Sequence, residues 1–167
     1  AEDDESDGSF LKLSPVLEVI TTIDLEHLDY YRDIDHIKTS FLQFIDKIPF
    51  YGAAIVCLDD QNVSDILPEI RRRVITYGLT SQSDLYAEQI SFAQGRVRFT
   101  VKRAEQTLGD INLAPPGIHN VYNALAAICV GLELEISFQV IADALASFAG
   151  VQRRMQHKGL ASGITVV

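Results

Sequence analysis

The chain is poor in positive charge. Its 14 lysines and arginines stand against 23 aspartates and glutamates in 167 residues, a net charge of −9. That balance argues against non-specific nucleic-acid binding, which draws its affinity from basic side chains on phosphates. Anions would have to be met locally, by helix N-termini, single arginines or a metal. No apolar run approaches the ~18 residues that a membrane span needs. The chain opens on acids instead of a basic segment followed by an apolar one, so no secretory leader is expected and a cytoplasmic setting is. Of cysteines there are only Cys57 and Cys129, each inside an apolar run. They read as buried free thiols, not as a disulfide or a metal pair. Neither G-x-x-x-x-G-K-[ST] nor G-x-G-x-x-G occurs, and there is no zinc-type Cys/His spacing and no local Ser-His-Asp arrangement. The first residue is not methionine, and the last four, Ile164-Thr165-Val166-Val167, stop within a β-branched run. The expectation is a piece of a longer protein.

What is present is an ordinary globular balance, 47% hydrophobic and 22% charged, with length enough for one sizeable core. Residues 16–23, after Pro15, read as a buried strand. Residues 35–47 carry Ile37, Phe41, Leu42, Phe44 and Ile45 at helical spacing, with Ile48 beyond, and Pro49 and Gly52 punctuate the end. A second buried strand, 53–58, is closed by Asp59-Asp60. A short helix at 63–70 carries Pro68, and a third strand, 73–77, ends at Gly78. Strand–helix–strand–helix–strand implies parallel βαβ units with helices on the faces. The period then changes. Segments 86–92, 96–102 and 108–113 are strand-like, and Val97, Phe99 and Val101 alternate with Arg98, Thr100 and Lys102, as in an antiparallel meander with one wet face. After Pro115-Pro116-Gly117 comes a small-residue-rich helix, 120–134. Ser137 is placed to cap another at 138–148, Gly150 ends that helix, and Arg153-Arg154 precede a short extended stretch. The fold class expected is α/β, a mostly parallel sheet with flanking helices plus a small antiparallel sheet.

Three constellations could carry chemistry. The acidic Glu2-Asp3-Asp4-Glu5-Ser6-Asp7 and the cluster Asp24-Leu25-Glu26-His27-Leu28-Asp29 flank the first strand, as do loops that converge on a site in α/β proteins. A hard cation such as Mg²⁺ often takes only one or two ligands from the protein, and the imidazole of His27 could join such a site. A solvated acidic terminus with a helix-capping turn would look the same. In Gly117-Ile118-His119-Asn120-Val121-Tyr122-Asn123, the two asparagines share one helix face. A carboxamide offers the donor and acceptor that an adenine edge needs, although Asn120 could simply cap the helix. Arg153-Arg154 could hold phosphate in a bidentate manner or be surface charges on a hinge.

Taken in order, Glu-Asp-Asp-Glu-Ser-Asp-Gly-Ser-Phe, then Glu-His-Leu-Asp-Tyr-Tyr, Pro-Phe-Tyr-Gly-Ala-Ala-Ile-Val-Cys-Leu-Asp-Asp, Gly-x-His-Asn-x-x-Asn-Ala and Gly-Val-Gln-Arg-Arg, the chain resembles the Mur ligase family over nearly its whole length. The Asp-Glu-Ser-Asp and Pro-Phe-Tyr-Gly blocks favour the branch that joins L-alanine to UDP-N-acetylmuramate over the branch that attaches a preformed tripeptide to the same sugar nucleotide. The resemblance implies that residues 1–149 are the later part of a central, P-loop-type ATPase domain and that 150–167 are the hinge and first strand of a C-terminal domain. It puts the UDP-binding domain and the phosphate loop before Ala1. It implies ATP and Mg²⁺, with Glu2 and His27 as metal ligands, and His119, Asn120 and Asn123 on the helix that meets adenine. Arg154 would lie near the nucleotide phosphates and, with His27, serve catalysis. The implied reaction is amide formation through an acyl phosphate in the cytoplasmic steps of peptidoglycan synthesis, with the piece alone inactive. No nucleic-acid or membrane partner is implied, and a non-catalytic interaction domain is the alternative. Two departures stand out: the acidic loop reads Asp3-Asp4 in place of the more usual Ala-Asp, and Thr22 occupies a position where asparagine is common. The spacing of Lys38 from His27 does not match the carbamylated lysine of sister ligases, so Lys38 receives no role.

Overall fold

Residues Ala53–Cys57 form β2, and all five are buried. A strand covered on both faces reads as one continuous apolar run, and its backbone groups can find partners only sideways. β1 (Leu17–Ile20) and β3 (Val74–Gly78) supply them, both parallel to β2. The computed structural model describes residues 6–148, 150, 159–161 and 164–166. Two helices link the parallel strands. In α1 (Ile34–Ile45) the first turn is capped by the Asp33 carboxylate on the His36 N–H, and in α2 (Gln61–Ile66) by Asp60 on the Val63 N–H. Alternation along β2 divides the core. Ala54 and Val56 meet Ile20, Ile37, Ile45, Val63 and Ile66 on the α1–α2 face. Ile55 and Cys57 meet Val121, Leu125 and Ile128 of α3 (Ile118–Glu133) on the other. α4 (Phe138–Ser147) packs over α3 and the far end of the sheet.

That far end is the meander β4 (Leu85–Ala93), β5 (Arg96–Arg103) and β6 (Gln106–Leu113). Its strands pair antiparallel, with Val97, Phe99 and Val101 buried as their alternation requires. They do not stand apart, however, but complete one six-stranded sheet in the order β1-β2-β3-β4-β5-β6. The join is parallel and short, Tyr77 beside Leu85 and Gly78 beside Tyr86. Residues 79–84 are too few for the usual parallel crossover. Asp84 makes the return possible. Its carboxylate accepts the Thr76 N–H at 2.8 Å and the Thr76 hydroxyl at 2.9 Å, while its own N–H donates to Thr76 Oγ1 at 2.8 Å. One side chain thus occupies the place of a strand neighbour until β4 begins. β7 (Gly159–Ala161) and β8 (Ile164–Val166) form a separate antiparallel pair.

Three local expectations are corrected. Pro68 closes α2 early, and a 3-10 turn, Leu67–Glu69, replaces the rest of the expected helix, since proline has no N–H for the next helical bond. Ser137 stands at the start of α4 but its side chain makes no capping bond. The expected buried strand at 16–23 is the four-residue β1, an edge strand of the sheet among the described residues, with Val16 and Val19 exposed. Its inward residues are Ile20 and, unexpectedly, Glu18. Glu18 is 5% exposed, and neither carboxylate oxygen has a hydrogen-bond partner. Burial pushes its carboxyl up to about 8. Cys57 and Cys129 are buried free thiols, as expected.

Two predictions follow from these contacts. The turn before β2 brings Gly52 so close to β1 that a Cβ would overlap the Val16 carbonyl oxygen, which itself accepts the Ala53 N–H at 3.1 Å. Gly52→Ala should destabilise the protein by at least about 2 kcal/mol, read as a lowered denaturant midpoint at unchanged slope. For Glu18, the unfolded carboxyl titrates near ~4.3 and the folded one at about 8. Between those values the folded state holds the extra proton, so this group's contribution to stability is full below the lower value and declines as pH rises through the upper. Glu18→Gln should therefore gain on the wild type between pH 5 and pH 8, and parallel pH profiles of the two midpoints would refute the assignment.

Candidate active site

The loops that follow β1, β2 and β3 gather at the carboxyl ends of the parallel strands, where open α/β sheets bind ligands. The β1 loop carries His27 in the left-handed region, at φ 53. Its carbonyl accepts the N–H groups of Tyr30 and Tyr31, each at 2.9 Å, and Tyr31 is 1% exposed. A buried tyrosine thus anchors the tight turn that presents the half-buried imidazole. His27 Nε2 lies 4.0 Å from the Glu26 carboxylate. On this loop sits the exit of the acidic stretch. Gly8, at φ 70, lies so tightly under Tyr30 that a Cβ would overlap the phenol oxygen. The Ser9 N–H donates to Asp7 Oδ1 at 2.9 Å, and Ser9 holds the Asp7 carboxyl below its usual range. Phe10 then locks into α1, with ring centroids 5.5 Å from Phe41 and 5.0 Å from Phe44. The described part of the acidic segment and the histidine loop therefore do meet. Glu2 lies outside the described residues.

Among the described residues no three His, Cys, Asp or Glu side chains group as a complete metal cage. One imidazole beside a carboxylate fits an ion that takes most of its oxygens from phosphate and water, as Mg²⁺ does. Lys38 is engaged elsewhere, its ammonium 2.7 Å from Asp65 Oδ2 on α2.

The second constellation opens α3. Gly117 stands at the helix start, and no side chain caps it. Asn120 does not serve as a cap. Its carboxamide donates to the Pro116 carbonyl at 2.7 Å and its N–H to the Gly117 carbonyl at 3.1 Å. His119 and Asn123 are exposed, and Asn123 follows Asn120 on the same face. Gly150 comes against Pro115, a Cβ there meeting Pro115 Cγ at 3.4 Å. The chain thus enters its last segment beside the loop that leads into α3. Arg153 and Arg154 lie outside the described residues.

The parts that sequence reasoning missed are the ones that join these loops. Asp59 Oδ2 accepts the Leu79 N–H at 2.7 Å and the Tyr122 hydroxyl at 3.0 Å. Burial and then that bond to Asp59 push the Tyr122 phenol up to about 12. Asp60 Oδ2 accepts the Thr22 hydroxyl at 2.8 Å, and Asn62 donates to the Ile23 carbonyl at 2.7 Å. The available signal was an acid pair directly after a wholly apolar strand, at the end of the sheet where sites form.

Residues 3–131 match the Mur ligase middle domain. Over its full length the chain is 70% identical to the UDP-N-acetylmuramate–L-alanine ligase of Desulfotalea psychrophila and spans 36% of that relative. The UDP-N-acetylmuramate-alanine ligase MurC of Thermotoga maritima superposes with a TM-score of 0.80 over 95% of this chain and 35% of its own, at 24% identity. The MurF ligase of Thermotoga maritima in complex with ADP does so with a TM-score of 0.73 over 87% of this chain and 33% of its own, at 17% identity. These two likenesses speak to the fold. The chain therefore spans about a third of the length of the proteins it matches, and with its six-stranded mixed sheet and the middle-domain match over most of its length, it belongs to the Mur ligase family.

Proposed function

We propose that the chain is the nucleotide-handling part of a cytoplasmic ATP-dependent ligase that joins L-alanine to UDP-N-acetylmuramate in peptidoglycan synthesis. The observation that carries this reading is the 70% identity, over the whole chain, to a relative named for that activity. Residues 1–149 belong, in this reading, to the central domain, and 150–167 begin the next. The muramyl carboxylate attacks the γ-phosphorus of ATP, the bond to the bridging oxygen breaks, and ADP leaves with that oxygen. The amine of L-alanine then adds to the acyl carbon and loses a proton, and phosphate departs with the former carboxylate oxygen. Such a reaction asks mainly for positioning and charge neutralisation. His119, Asn120 and Asn123 would meet the adenine, Arg154 the phosphates, and Glu2 and His27 would hold Mg²⁺. The metal, when bound, neutralises charge on the transferring phosphoryl group. The left-handed turn at His27, fixed by Tyr31, keeps that imidazole presented before nucleotide arrives, and the exposed asparagine face leaves room for a planar base.

The full-length parent, given ATP, Mg²⁺ and UDP-N-acetylmuramate, should release ADP only when L-alanine is added. Release only with a tripeptide would move it to the peptide-adding branch, and silence with both would leave the fold without the activity. This chain by itself lacks the phosphate-loop motif and should release none.

The side-chain assignments have their own signatures. In the parent, His27→Ala or Glu2→Ala should weaken the response to Mg²⁺ by roughly 10- to 100-fold. Asn123→Ala should raise the KM for ATP by about 10-fold with kcat largely kept, as removal of binding common to ground and transition state does. An unchanged KM for ATP would remove Asn123 from the adenine site.

A further inference from the structure

We infer that Asp59 and Asp60 are positioning residues that tie the two halves of the site, the histidine loop and the asparagine helix, to one strand end. The inference rests on the site reading above but concerns side chains that contact neither nucleotide nor metal in that reading. The two acids stand in the turn beyond β2, and their partners lie on opposite faces of the sheet. Odd-numbered residues of β2, Ile55 and Cys57, face α3, and even-numbered Ala54 and Val56 face α1 and α2. Beyond the strand the partners of the two acids divide between the same two faces. Asp59 turns towards α3 and holds the Tyr122 hydroxyl at 3.0 Å, together with the Leu79 N–H at 2.7 Å. Gly78 admits this carboxylate, since a Cβ there would lie 2.8 Å from Asp59 Oδ1. Asp60 turns the other way. It caps α2 through the Val63 N–H at 2.8 Å and holds the Thr22 hydroxyl at 2.8 Å. From the same turn of α2, Asn62 reaches the Ile23 carbonyl at 2.7 Å.

Each bond acts on the loop or helix that carries a site residue. Thr22 and Ile23 lie early in the loop that carries His27, and Tyr122 lies between Asn120 and Asn123. A shift of the Asp59 carboxylate moves the asparagine face, and a shift of Asp60 moves the imidazole. Rotation about the β2 terminus would disturb both, so the acid pair keeps base and metal in register with each other. Thr22, at a position where asparagine is common in the resemblance, supplies the hydroxyl that Asp60 needs here.

The test uses the full-length parent and single-atom changes distant from the strand. Dissociation constants for ADP are measured with and without Mg²⁺, with thermal unfolding and the ligation assay alongside. Tyr122→Phe deletes the donor to Asp59 and should weaken ADP binding in the absence of metal by on the order of 3- to 10-fold. Thr22→Val deletes the donor to Asp60. It should leave metal-free ADP binding as it was and reduce the tightening that Mg²⁺ brings by a similar factor, about 3- to 10-fold, while Thr22→Ser restores it. Variants that bind like the wild type would overturn the inference. So would equal losses in both readouts for both variants, because a general loosening has no such division. A wild type that binds ADP yet does not ligate L-alanine would refute the acceptor reading and leave this test intact. A wild type that binds no ADP would refute the site and the inference together.

Discussion

The structure depends on burying one strand on both faces. β2 has no polar side chain among its five residues and none of them is exposed, so its amide and carbonyl groups cannot turn to water. Leaving one unpaired would cost roughly 1–3 kcal/mol, and parallel neighbours on both sides remove the penalty. That demand brings β1 and β3 alongside, places α1 and α2 on one face and α3 on the other, and leaves the loops that follow the three strands at a single end. The site is the consequence. Beyond the strand comes the half-buried Leu58, and the first charged residues, Asp59 and Asp60, stand where the core stops.

The other half of the sheet obeys a different rule because the chain cannot afford a helix between β3 and β4. With residues 79–84 as the only link, parallel pairing lasts for two residues on each side, and a side-chain carboxylate satisfies Thr76 in the meantime. After that the sheet can only run antiparallel. The change of rule divides labour. The parallel half carries the converging loops, and the meander gives α3 and α4 a broad apolar floor of Val97, Phe99, Val101 and Ile111.

What could be read beforehand was whatever announces itself by period or composition. The alternation of Val97, Phe99 and Val101 is legible because a wet face demands it, and the apolar run of β2 because total burial does. The single sheet was not legible, because it depends on a two-residue contact specified by Asp84 and Thr76, residues that read as ordinary turn formers. Glu18 was lost inside an apolar run whose register, not its composition, turns it inward. In the site, His27, Asn120 and Asn123 were visible as chemistry-bearing types in suggestive order. Asp59 was visible only as the end of a strand, since its partner Tyr122 is far away in sequence and nothing local pairs them.

The bonds that shape the site differ in kind from those that hold the core. Thr22, Asp59, Asn123 and His119 are exposed, and a hydrogen bond in such a place adds only about 0.5–1.5 kcal/mol net, a small increment beside a buried isoleucine. Their value is directional. The core fixes where each strand ends to within the tolerance of close packing, but it says little about the path of a loop after the strand. A left-handed residue at His27 and a tyrosine seated on Gly8 would relax without an anchor, since the backbone does not favour them on its own. Tyr31, Phe10 and Asp60 supply anchors from three directions: two through apolar burial and one through the hydrogen bond from the Thr22 hydroxyl. The loop is thereby determined at both ends and in the middle, while its outer surface stays open. That combination, a floor set by packing and an aperture set by polar bonds, fixes the turn that presents the half-buried imidazole.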